Sequence, residues 1–127
     1  MKYRIDEDEA VLHIDLDSGD PALRFVDHLQ AILQHRPDVR SWDWIIEARV
    51  LPSDLGVDHV AHLAEAYRAS DAGAAAAQAV VAFVSDDQNL FLWAQVMDFQ
   101  FPGRRHCVVH DLEAARSLIA RERAART

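Results

Sequence analysis

Six consecutive residues, Ala79-Val80-Val81-Ala82-Phe83-Val84, carry no polar side chain. A strand with one wet face alternates polar and apolar positions, so a continuous run rich in β-branched residues belongs at the centre of a sheet covered on both sides. Such coverage comes from helices that link parallel strands. This segment predicts an α/β chain.

The remaining pattern agrees. Residues 2–5 and 11–16 read as two strands around the acidic turn Asp6-Glu7-Asp8-Glu9-Ala10; in the second, Leu12, Ile14 and Leu16 share one face. Asp17 to Pro21 is a turn, with Asp20 as N-cap and Pro21 opening a helix. In that helix Phe25, Val26, Leu29, Ile32 and Leu33 form one apolar stripe, and Pro37 ends it. Residues 42–51 read as a strand centred on Ile45 and Ile46, and residues 57–69 as a second helix. The alanine-rich segment 72–77 fits either a helical turn or a loop. Helices at 89–100 and 112–123 flank a last strand at 105–109, and 121–127 reads as a fraying, solvated tail. The order is β-β-α-β-α-β-α-β-α: an N-terminal hairpin, then parallel strands, in a single mixed β-sheet with helices packed on it. At 127 residues the chain fits one domain, 1–127.

Composition narrows the function. Twenty-one acidic against thirteen basic residues give a net charge of −8, the wrong sign for a nucleic-acid partner. The longest apolar runs are far shorter than the roughly 18 residues a membrane span needs, and Met1 to Asp6 holds no apolar signal segment. Cys107 stands alone, which fits a reducing cytoplasm. Four separate glycines form no phosphate loop, and no G-x-S-x-G elbow occurs. His59 and His62, or His106 and His110, lack any ligand motif, so neither a metal nor a cofactor is expected. Cys107 points away from His106 and His110 on its strand and reads as structural. No catalytic residue is assigned.

The segments Ala79 to Asp86, then Trp93, then Phe99-Gln100-Phe101-Pro102-Gly103, then Asp111-Leu112-Glu113-Ala114-Ala115 resemble the SpoIIAA-like STAS family over residues 79–120. The resemblance implies a mostly non-enzymatic α/β module, similar in shape to CRAL-TRIO lipid carriers. Some members are phosphorylated at a serine in D-S-x-G at the start of the second helix. Here that place reads Ser53-Asp54-Leu55-Gly56: Asp54 occupies the acceptor slot, and Ser53, one position earlier, is the possible phosphoacceptor.

Two sets of candidate residues follow. The carboxyl ends of the parallel strands carry Asp54, Ser85, Asp86, Asp87, His110 and Asp111, where open α/β sheets bind ligands; the plainer reading makes the aspartates helix N-caps. The third helix is apolar around most of its circumference, and Phe91, Trp93, Met97, Phe99 and Phe101 exceed what packing on a sheet requires. They suit an interface, favouring a homodimer, or an apolar pocket for a lipid-like small molecule. On this reading, polar residues at Trp93 and Phe101 weaken self-association and leave the fold intact. The leading expectation is a regulatory or protein-interaction module, with a carrier of an apolar ligand or a phosphorylation-switched anti-sigma-factor-antagonist-like protein as alternatives.

Overall fold

The computed structural model describes residues 1–16, 21–49, 54–69, 79–101 and 103–126. Along these run β1 (Lys2–Asp6), β2 (Val11–Asp15), α1 (Ala22–His35), β3 (Asp43–Glu47), α2 (Val57–Ala69), β4 (Ala79–Val84), α3 (Asn89–Gln100), β5 (Arg104–Val109) and α4 (Leu112–Arg126), with a 3₁₀ turn at Pro37–Ser41. The strands form one sheet in the order β1-β2-β3-β4-β5. β1 and β2 are antiparallel, with Lys2 opposite Asp15 and Asp6 opposite Val11; the other pairs are parallel. Every residue of β4 is buried, as its apolar run requires.

Strand order decides helix placement. From β2 to β5 each strand is laid beside the one before, always in the same direction. Crossovers of one hand then fall on one face of the sheet. Accordingly α1, α2 and α3 pack together on the face formed by Leu12, Ile14, Trp44, Ile46, Val81 and Phe83. Among the described residues only α4 covers the opposite face, setting Ala115, Leu118 and Ile119 against Ile45, Val80, Ala82 and Val84.

The strand read at 42–51 stops at Glu47. Its neighbours end there too: Leu16 N–H donates to the Glu47 carbonyl and Ala48 N–H to that of Val84, which closes the ladder. At α1 the cap is not local. Asp20 lies outside the described residues, Pro21 occupies the N-cap position, and the Ala22 N–H donates to Asp54 Oδ1 at 2.9 Å.

The C-terminal tail is helical and anchored, not frayed. α4 continues to Arg126 because Asp43, only 2% exposed, draws it in. Asp43 Oδ1 accepts from Val80 N–H at 2.8 Å, and Oδ2 accepts from Arg123 Nε at 2.7 Å. Arg126 Nη2 lies 3.1 and 3.2 Å from the two oxygens. Arg123 also donates to the Ala10 carbonyl at 3.0 Å, where the backbone turns left-handed at φ 53°. One buried carboxylate thus joins β3, β4 and α4, and through Arg123 the hairpin turn. Asp43→Ala should lower the unfolding free energy by about 2–4 kcal/mol, below the full cost of a buried broken pair because both arginines reach water. Deleting residues 122–127 should cost a comparable amount in urea denaturation, whereas a frayed tail would be lost without effect.

Candidate functional site

Helix α3 divides into two faces. Leu90, Ala94 and Met97, spaced i, i+4 and i+7, face the sheet; Leu90 and Ala94 are buried and Met97 packs at the core margin. The opposite stripe holds Leu92, Gln95 and Phe99, with Phe91 beside Gln95. Phe91 is 54%, Leu92 64% and Phe99 85% exposed. Trp93 and Val96 are half-buried flanks. Asp98, the only charged residue of the helix, accepts from His106 at the edge of the packed face, so the outer stripe carries no charge. At roughly 150–250 Å² per large side chain, the three exposed groups present on the order of 400 Å² of apolar surface, in the range that often marks a contact surface.

Phe101 does not belong with them. It lies in the core, edge-on to Tyr67 with centroids 5.2 Å apart. The expectation that a polar residue at Phe101 spares the fold is therefore corrected: the chain leaves the helix at Phe101 and turns inward, which helical periodicity does not report.

The strand-end residues are dispersed among structural tasks. Asp54 caps α1, 32 positions earlier in the chain, in place of the second helix. Ser85 is buried, and its Oγ accepts from Asp87 N–H at 3.1 Å, while Asp87 Oδ1 accepts from Asn89 N–H at 2.9 Å at the start of α3. Asp111 Oδ1 accepts from Ala114 N–H at 2.7 Å and caps α4. Asp86 and His110 face each other at 3.5 Å, both largely exposed. Ser53 lies outside the described residues. Among the described residues no three His, Cys, Asp or Glu side chains are grouped to hold a metal ion, and no helix is long and apolar enough to cross a membrane.

Two buried polar residues, one of them weighed from the sequence only as half of a His106–His110 ligand pair, make other contacts. His106 stacks on Phe83, and its Nδ1 lies 2.9 Å from Asp98 Oδ1, which also accepts from the His106 backbone N–H at 2.6 Å. Burial pushes the His106 pKa down to about 4, overcoming the opposing pull of Asp98. The ring is therefore neutral near pH 7, Nδ1–H donates to the carboxylate, and the contact is a hydrogen bond rather than an ion pair. Arg104 opens β5 with its guanidinium 4.2 Å above the Trp44 ring and donates to the carbonyls of Arg40 and, at 2.6 Å, Trp42. Burial lowers its pKa from the usual arginine range, against the opposing effect of Tyr67. On the other sheet face, Cys107 is half-buried, and burial raises its thiol pKa, the opposite of nucleophile activation.

Between the sheet and the three helices lies an apolar cavity of about 40 Å³, bordered by Phe25, Val60, Phe83, Met97 and His106. Ligand pockets occupy roughly 300–1,000 Å³, so this space admits no lipid-sized molecule as it stands. Compared with protein-family models, curated proteins and solved structures, the chain finds no match.

Phe101→Ala should destabilise by about 3–5 kcal/mol, whereas Phe99→Ala should change unfolding free energy by less than about 0.5 kcal/mol; chemical denaturation separates the two. The His106 prediction concerns pH. The unfolded imidazole titrates near 6.5 and the folded one near 4, so in that window the unfolded chain binds more protons. The stabilisation is present above about pH 6.5 and falls as pH drops toward 4. Between about pH 7 and pH 4.5 the parent should lose about 2–3 kcal/mol more than His106→Gln; parallel losses in the two proteins would exclude His106 as the cause.

Proposed function

We propose that this chain is a STAS-like regulatory or protein-interaction module that works as a homodimer through the outer face of α3. The observation that carries the reading is the uncharged apolar stripe of Phe91, Leu92 and Phe99 left in water on a folded chain. We take a second copy as the occupant because the stripe is where self-association meets the least electrostatic opposition. Two chains of net charge −8 repel wherever charged surfaces meet, and this stripe brings no charge to a two-fold contact. Its roughly 400 Å² is about half of the 800 Å² per partner typical of a specific interface. Trp93, Val96 and Gln95 border it and extend the contact.

The strand order, with a hairpin followed by βα units and a terminal helix, supports the family resemblance of residues 79–120. In this reading the module carries out no reaction and acts in the cytoplasm, where a lone thiol fits the reducing conditions. It stands ahead of the apolar-carrier alternative, which requires the 40 Å³ cavity to grow several-fold. The phosphorylation-switched alternative requires a kinase acting at Ser53.

Light scattering coupled to gel filtration tests the proposal. The parent should elute with twice the 14.3 kDa chain mass, and Leu92→Gln/Phe99→Glu should elute as a monomer with unchanged near-ultraviolet circular dichroism. A parent that stays monomeric at about 100 µM, a hundred times a micromolar Kd, would overturn the reading, as would a double variant that remains dimeric.

A further inference from the structure

Among the described residues, coverage of the second sheet face is incomplete, and a trough lies there. α4 packs chiefly on β4, with lighter contact to β3 and β5, and among the described residues no other helix lies over β1 and much of β2 on this face. Between α4 and the hairpin the trough encloses about 540 Å³, within the roughly 300–1,000 Å³ of small-molecule sites. Val11 and Ile45 give it an apolar floor, and Ile119 lines the α4 wall.

Its charges are arranged unequally. Arg123 is committed to Asp43 and the Ala10 carbonyl. Arg4, from β1, and Arg116, from α4, line the same trough from opposite sides, and neither has a side-chain partner among the described residues. This is a chain in which acidic residues outnumber basic ones by 21 to 13. Opposite Arg4 in the strand register lies His13, held by Glu47 Oε2 at 2.8 Å from Nε2. The acids Asp6 and Glu9 line only the hairpin end, where Asp6 Oδ1 accepts from Glu9 N–H at 3.1 Å.

We propose that this trough binds a short organic anion, with its carboxylate or phosphate oxygens held between Arg4 and Arg116. Guanidinium forks match the paired oxygens of both groups. Asp6 and Glu9 repel a chain of phosphates that extends toward the hairpin, so the ligand is short and nucleic acid is excluded. The apolar floor accepts a small hydrocarbon portion between the anionic group and the acidic end. The site lies on the sheet face opposite the one on which α3 packs, and stands independently of dimer formation.

Amide chemical-shift titration of the full chain, with succinate in one series and inorganic phosphate in another, tests this. Saturable shifts on β1, His13 and the first half of α4 are expected for at least one anion. Arg4→Gln/Arg116→Gln should weaken that Kd by at least about tenfold, while Arg24→Gln on α1 leaves it unchanged. Both arginines are exposed, so the double variant should fold. Shifts that grow linearly with either anion, or saturable shifts that the double variant retains with equal Kd, would overturn the site.

Discussion

The buried carboxylate of Asp43 is the point on which the two-sided sheet depends. Three helices cover one face as a consequence of chain direction, whereas among the described residues α4 alone packs on the other. A carboxylate at 2% exposure is costly without partners. Here it meets two guanidinium groups and a backbone N–H, so the folded chain satisfies it only when α4 is seated and β4 is paired. Both arginines stay partly solvated, at 35% and 28% side-chain exposure, so their desolvation is limited.

Arg104 is the counterpart of Asp43 on the other face, at the same edge of the sheet. Its two Nη atoms donate to carbonyl oxygens and its guanidinium lies over aromatic rings, while Nε is buried with no hydrogen-bond partner among the described residues; the negative charge of Asp43 helps hold the group in its charged form. One buried anion and one buried cation, on opposite faces, close the edge where β3, β4 and β5 begin. Both proposed binding surfaces lie outside this frame. The α3 stripe is apolar area beyond what the sheet can bury, and the trough is sheet area beyond what α4 can cover.

Much of the frame is legible in the chain. The unbroken run in β4, the alternation in β2 and the Phe25-to-Leu33 stripe specify strand, strand and amphipathic helix because burial imposes periods of 2 and 3.6. The surplus apolarity of α3 is equally visible, since a helix has one sheet-facing side. Which aromatics remain outside is less visible: Phe99 and Phe101 are two residues apart, and only the turn after Gln100 separates a wet ring from a core ring. Asp54 reads as a local cap but serves a helix 32 positions earlier, because the two loops meet in space. Asp43 leaves a faint signal as a charge inside Trp42-Asp43-Trp44-Ile45-Ile46, yet its partners are 80 and 83 residues away.

The sequence by itself determined the α/β class, the element order, the helical stripes and an aromatic third helix apolar around most of its circumference, because each follows from local periodicity and side-chain polarity. Tertiary structure alone decided the one-sided placement of α1 to α3, the anchoring of α4 by Asp43, the Asp98–His106 contact and the placement of Arg4 and Arg116 along one trough. Those depend on strand order and on contacts between distant residues, and the physical reason is that a buried charge or an open trough exists only relative to what the rest of the chain places around it.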